Sequence, residues 1–211
     1  MPYKLKTAAA MLAIFALTGC AYVPYTVHNH YKAPASLTKI PGAENVTVHI
    51  RVKNAKKRYK EISRTEDMLG IQFAGVYMDI AKNFKAAIDK ALEKRGFHIG
   101  SGGANVQVVV KHFYIPEHMG FSTIDYTGHM KMQVKIDAVG YSSSVIIQKF
   151  HNGISFMRQY LGPGRSPAAN ALLEDGVNKL VSNPRFIAAL MKAGGQQEGV
   201  TVPALSGGTG S

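Results

Sequence analysis

Residues 123–141 read TIDYTGHMKMQVKIDAVGY. Within them Met130, Met132, Val134, Ile136 and Ala138 fall on one side, while His129, Lys131, Gln133, Lys135 and Asp137 fall on the other. A two-residue period sustained this far specifies a strand with one buried and one wet face. Ser142-Ser143-Ser144 reads as the turn that follows, and Val145 to Leu161 as a second long strand pairing back, with Gly153 at a bulge. Two long strands joined so closely form an antiparallel hairpin.

The neighbouring segments fit around this hairpin. Ala104 to Ile115, rich in valine and aromatics, is a strand that Pro116 ends. Val46 to Val52 alternates as a half-buried strand. Met78 to Arg95 is a helix: Ile80, Phe84, Ala87, Ile88, Ala91 and Leu92 make one apolar stripe, lysines and acids cover the rest, and Gly96 supplies a left-handed stop. Phe97-His98-Ile99 starts a return strand. Ser166-Pro167 opens another helix, with Leu172 or Leu173, Val177, Leu180 and Val181 buried. Asn183-Pro184 breaks it, and Arg185 to Lys192 is a short terminal helix. The order predicts an α+β fold, a mainly antiparallel sheet with helices packed on one face in a two-layer sandwich. One domain spans residues 43–192, and the Gly-, Ser- and Thr-rich residues 193–211 are expected to be disordered.

The amino terminus carries a different signal. Lys4 and Lys6 precede an apolar run from Ala8 to Leu17, and Leu17-Thr18-Gly19-Cys20 ends on the chain's only cysteine. That is the layout of an export signal over residues 1–19. The run is about half the roughly 20 residues of a spanning helix, and an ordinary secretory signal has no need of a cysteine there. The Leu-x-Gly-Cys ending resembles the lipobox of bacterial lipoproteins. The resemblance implies cleavage between Gly19 and Cys20, a diacylglyceryl group on the Cys20 thiol, and an acyl chain such as palmitate on the new amino terminus. Two or more chains hold a protein on a bilayer stably. Ala21, where enteric sorting rules place Asp for inner-membrane retention, implies a lipid-anchored protein of the outer membrane that faces the periplasm. Residues 20–42, interrupted by Pro24, Pro34 and Pro41, read as the acylated terminus and an extended tether. Tyr22, Tyr25 and Tyr31 are either interfacial rings or ordinary linker residues.

The 211-residue chain has a formal charge of +12, and removal of residues 1–19 takes two lysines and no acid, leaving +10. Such a surplus favours phosphate-bearing lipid or an acidic envelope protein, nucleic acid being unexpected for an exported lipoprotein. It is densest at Arg51, Lys53, Lys56, Lys57, Arg58, Lys60 and Arg64, where only Glu61 intervenes before Glu66. A charge run of this kind is a solvated loop or strand edge, or, with Lys56, Lys57, Arg58 and Lys60 as the candidate residues, an anion-binding surface.

No catalytic set emerges. His28 and His30 are two apart but lack the further ligands of a tetrahedral metal site. His112, His129 and His151 fall on strands expected to be neighbours, where a polar outer face accounts for them. Gly153-Ile154-Ser155-Phe156 lacks the second glycine of a nucleophile elbow. Gly162-Pro163-Gly164-Arg165-Ser166 precedes a helix like an anion cradle, but it lacks a phosphate loop's lysine, and a loop plus cap explains it. The expectation is a non-enzymatic binding or accessory lipoprotein without cofactor or metal. The alternative is a periplasmic hydrolase assembled from residues distant in sequence.

The lipobox, the helix ending Leu92-Glu93-Lys94-Arg95-Gly96-Phe97, the strand Val106-Gln107-Val108-Val109-Val110 and the two long strands leading to Ser166 together resemble the YajG-like family of bacterial lipoproteins. The resemblance implies a small envelope domain that accompanies a larger assembly. It brings no catalytic residues.

Overall fold

The computed structural model describes residues 24–28, 30–66, 70–119, 123–155 and 166–198. The expected export signal over residues 1–19, Cys20, Tyr22, residues 162–165 ahead of Ser166 and the last thirteen residues, 199–211, lie outside the described residues. The elements in chain order are β1 (Tyr25–Thr26), β2 (Thr47–Asn54), β3 (Glu61–Glu66), β4 (Gln72–Tyr77), α1 (Ile80–Lys94), β5 (His98–Ile99), β6 (Ala104–Tyr114), β7 (Glu117–Met119), β8 (Thr123–Ile136), β9 (Tyr141–Ser155), α2 (Ser166–Val181) and α3 (Pro184–Glu198).

The fold is α+β. Its large sheet runs β5-β2-β6-β8-β9, and β7 continues the β6 edge of β8. Tyr114 faces His129 and Glu117 faces Tyr126 in one unbroken register. Pro116, which has no amide hydrogen to give the ladder, sits at the gap but still accepts from Thr127 N at 3.2 Å. The β8–β9 and β6–β8 ladders are antiparallel, whereas β2 lies parallel to both β5 and β6. The sheet is therefore mixed. Parallel strands need a crossover, and α1 supplies it between β2 and the β5–β6 pair.

The three helices cover one face of this sheet. All six residues expected on the α1 stripe are buried. Asp79 caps α1 by accepting from Lys82 N at 3.1 Å, and Gly96 takes the left-handed φ of 100° that ends it. Phe84 meets Phe113 of β6 edge to face at 5.4 Å, at the centre of the core. On α2, Gly176 lies directly over Met130, so the helix sits down on β8.

Several expectations are corrected. The turn between the long strands is Asp137–Gly140, where a short 3-10 turn ends on Gly140 at φ 64°. Ser142, Ser143 and Ser144 pair with Lys135, Val134 and Gln133 inside β9. The left-handed position requires glycine, and three serines cannot supply it as cheaply. The first strand of the pair accordingly stops at Ile136, leaving Ala138 exposed.

The segment read as a tether is part of the domain from Pro24 on. Val27, Tyr31 and Leu37 are buried. β1 pairs parallel with β4, Tyr31 Oη donates to Asn178 Oδ1 at 2.8 Å, and Ile40 N donates to Arg95 O at 2.9 Å. Tyr31 is thus a core residue and not an interfacial ring. Prolines set the segment's extended course, and its widely spaced apolar residues show no period because no regular element carries them. The final helix also runs past residue 192 to Glu198, with Ala193 buried against the core.

Candidate functional site

A second, three-stranded sheet, β1-β4-β3, adjoins the large one where β6 gives way to β7. Ile115 N donates to Ile62 O at 2.8 Å, and Ser63 Oγ bonds Ile115 O. The β3–β4 hairpin left no clear period in the sequence: β3 buries Ile62 and Ser63 in a row among Glu61, Arg64 and Glu66, and β4 is a short uncharged run. Its inward residues Ile62, Ala74 and Val76 are buried.

Between this hairpin, the loop ahead of it and the outer face of β6 lies a groove of about 370 Å³. It is lined by Lys56, Lys57, Arg58, Glu61, Gln72, Lys111, His112 and Tyr114, four cations against one acid.

Local structure explains why these side chains converge. Asn54, at the buried end of β2, accepts from Lys56 N at 3.2 Å and donates to Tyr59 O, holding the loop closed on itself. On β6 the register slips between Val110 and His112, so Lys111 is the extra residue of a β-bulge. Val110 and Phe113 stay buried, and Lys111 and His112 both emerge on the outer face. An unbroken strand would have sent one of them inward.

The electrostatics follow from burial and pairing. Lys56 is only 9% exposed, and its Nζ donates to Glu61 O at 2.8 Å. Burial lowers its pKa to about 8, with the Glu61 charge pulling the other way. Burial would raise the Glu61 carboxyl, but hydrogen bonds and charge from Arg64 and Arg58 outweigh it and hold the group below its usual range. Arg58 donates to Glu61 at 2.8 Å, Arg64 donates to the same carboxylate at 3.0 Å, and the Arg58 guanidinium lies 5.7 Å from the Tyr114 ring centre. Among the described residues neither Lys57 nor Lys111 has an acidic partner. Burial, then the neighbouring His129 and Lys56, lower the His112 pKa and so favour its neutral form.

The groove opens onto the uncovered face of the large sheet. Arg51 and Lys53 of β2, with Lys131 and Lys135 of β8, project from that face. The His112 and His129 rings are 6.5 Å apart there, while the side chain of His151 lies outside the described residues.

Of the four residues singled out in the sequence, Lys56, Lys57 and Arg58 line the groove. Lys60 does not, and its carbonyl accepts from Met78 N at 2.9 Å. Lys111, His112, Tyr114 and Gln72 were missed. The trace of the first two was visible: two polar residues in a row between Val110 and Phe113 break the alternation. No group of three or more metal-binding side chains occurs among the described residues, and no helix among them is long and apolar enough to cross a membrane.

No protein-family model matches the chain, and no curated protein matches it. Solved structures do. The chain is similar to a DUF330 protein from Xanthomonas campestris, at 13% identity and TM-score 0.43 over 83% of this chain and 98% of that one. It is similar to an uncharacterized lipoprotein B from Nitrosomonas europaea, at 8% and 0.43 over 79% and 95%. A minor lipoprotein from Acinetobacter baumannii matches at 5% and 0.39 over 66% and 92%. Neither an activity nor a ligand is carried from these proteins to this chain.

Proposed function

We propose that the mature chain is a non-enzymatic lipoprotein of the bacterial envelope, anchored through acylated Cys20 and facing the periplasm from the outer membrane. It acts as a binding module whose groove takes a phosphate-bearing anion. The lipobox at Leu17–Cys20 supports the anchor, and the YajG-like resemblance of the sequence agrees with it. One observation carries the binding role: four cations converge with a single acid in a preformed groove, two of them without an ion-pair partner among the described residues. Arg58 offers a planar fork and the lysines point charges, both suited to phosphate oxygens. Gln72 and Tyr114 add neutral polar groups at the wall.

The test is calorimetric titration of the full mature lipoprotein with glycerol phosphate at low salt, beside the Lys57→Glu/Lys111→Glu variant. Saturable binding that weakens at least about tenfold in the variant is expected, since each reversed charge acts within a few ångströms of the anion. Equal heats from both proteins would remove the groove as the site. The anchor is tested separately: Cys20→Ala should leave the membrane fraction or remain uncleaved.

A further inference from the structure

We propose that the groove is applied to the phosphodiester headgroups of the same bilayer that holds the anchor, so that the domain lies against its own membrane. The inference rests on the lipoprotein reading and deepens it by naming the ligand: anionic phospholipid reached in cis.

Three observations point the same way. The first is length. Tyr25 is already paired in the sheet, and Cys20 stands only five residues ahead of it. A chain spans at most about 3.3–3.6 Å per residue, so the lipidated sulfur's backbone lies within about 18 Å of Tyr25 whatever path it takes. A domain that hangs free on a long leash is excluded by this count.

The second is direction. β1 runs parallel to β4, with Tyr25 opposite Val76 and Thr26 opposite Tyr77. The chain therefore enters β1 from the side of β4's first residue, Gln72. Gln72 is four positions from Val76, about 13 Å at strand rise, which is within the reach of the anchor. Gln72 also lines the groove. By this count the anchor can reach the Gln72 end of the groove, while Glu61, opposite Tyr77, marks its other end. Ile71, next to it, is 52% exposed, an apolar side chain placed where an interface would receive it.

The third is charge. Lys57, Arg58 and Lys111 of the groove continue into Arg51, Lys53, Lys131 and Lys135 on the open sheet face. A flat basic surface beside a short lipid anchor complements an anionic leaflet, and such attraction acts only within a Debye length of it. The anchor supplies that closeness, holding the groove at a high local headgroup concentration.

The experiment uses the full acylated protein in proteoliposomes, read by hydrogen exchange across Ala55–Glu61 and the Gln72–Tyr77 strand. Vesicles of phosphatidylcholine alone are compared with vesicles that also contain phosphatidylglycerol. Glycerol phosphate added to the phosphatidylcholine vesicles provides the soluble-anion arm. Two variants accompany the wild type: Lys57→Glu/Lys111→Glu, and an insertion of about ten Gly/Ser residues between Val23 and Pro24 that lengthens the connection. Roughly tenfold slower exchange of the loop is expected with phosphatidylglycerol. The charge variant should abolish that protection and the insertion should reduce it. Protection by glycerol phosphate but none by phosphatidylglycerol would overturn the membrane proposal and leave the anion reading standing. Protection by neither would overturn both. Protection that survives the insertion unchanged would overturn the role given to the short connection.

Discussion

On β6, Val106, Val108, Val110 and Phe113 point into the helix layer, while Asn105, Gln107, Lys111 and His112 point the opposite way. The inward set is closed off by α1 and α3, and Phe113 is locked against Phe84. The outward set is left to solvent and to a groove whose cations outnumber its acids. One strand thus carries two independent jobs, and the Lys111 bulge touches only the second. Stability is concentrated on the covered face and recognition on the open one. Changes to one face should leave the other nearly untouched.

The sharpest way to break that separation is Phe84→Ala. It empties a fully buried aromatic site on α1 and should cost about 3–5 kcal/mol in urea denaturation. Glycerol phosphate affinity should hold under conditions where the variant remains folded. A coupled loss of binding would show that the faces are not independent. The converse is Lys57→Glu/Lys111→Glu, which should lower anion affinity at least about tenfold while shifting unfolding stability by no more than about 0.5 kcal/mol, as is usual for surface positions. Tyr31→Phe tests the amino-terminal strap alone. Loss of the 2.8 Å bond to Asn178 should cost about 1 kcal/mol, with no change in affinity.

The last test uses pH, and its two readouts, stability and anion binding, move in opposite directions. The Lys56 ammonium binds its proton less tightly in the fold than in the unfolded chain, at about 8 against 10.5. Between those values the unfolded state holds more protons, so the Lys56 contribution to stability rises with pH. Over the same window the groove loses a positive charge and sulfate binding should weaken severalfold. Sulfate serves as the probe because its own charge is constant there. Titrations from about pH 7 to about pH 10 check both trends. Affinity that stays flat while Lys56 deprotonates would remove Lys56 from the anion's surroundings.

Much of the covered face was legible because burial writes a period into the sequence. The α1 stripe and the alternation of β8 were read residue by residue from that period. The open side left a fainter record. β3 and β4 are short strands: adjacent Ile62 and Ser63 are both buried in β3, which breaks a two-residue period, and β4 is only six residues without a charge. The parallel register of β2 against β6 depends on a crossover, which local patterning does not encode. Half of the groove was visible as the basic run at Lys56–Arg58. The other half comes from β6, more than fifty residues later, and only the bulge brings it near. The strap from Tyr25 to Leu37 was misread for a related reason: its buried residues contact α2 and α1 through the fold alone.

That strap also fixes an order of events. Its partners Ser166 and Asn178 stand 141 and 147 residues further along the chain. As the polypeptide emerges from its amino end, the backbone at Tyr25 finds β4 after about fifty residues, but the side chains of Tyr25 and Tyr31 wait for almost the whole domain before Ser166 and Asn178 exist. Seating Tyr31 on α2 is the closing act for this segment, since that distant contact gains nothing until α2 is in place. A nascent chain halted before Asn178 would leave Tyr31 without its seat on α2, an apolar ring exposed until synthesis resumes.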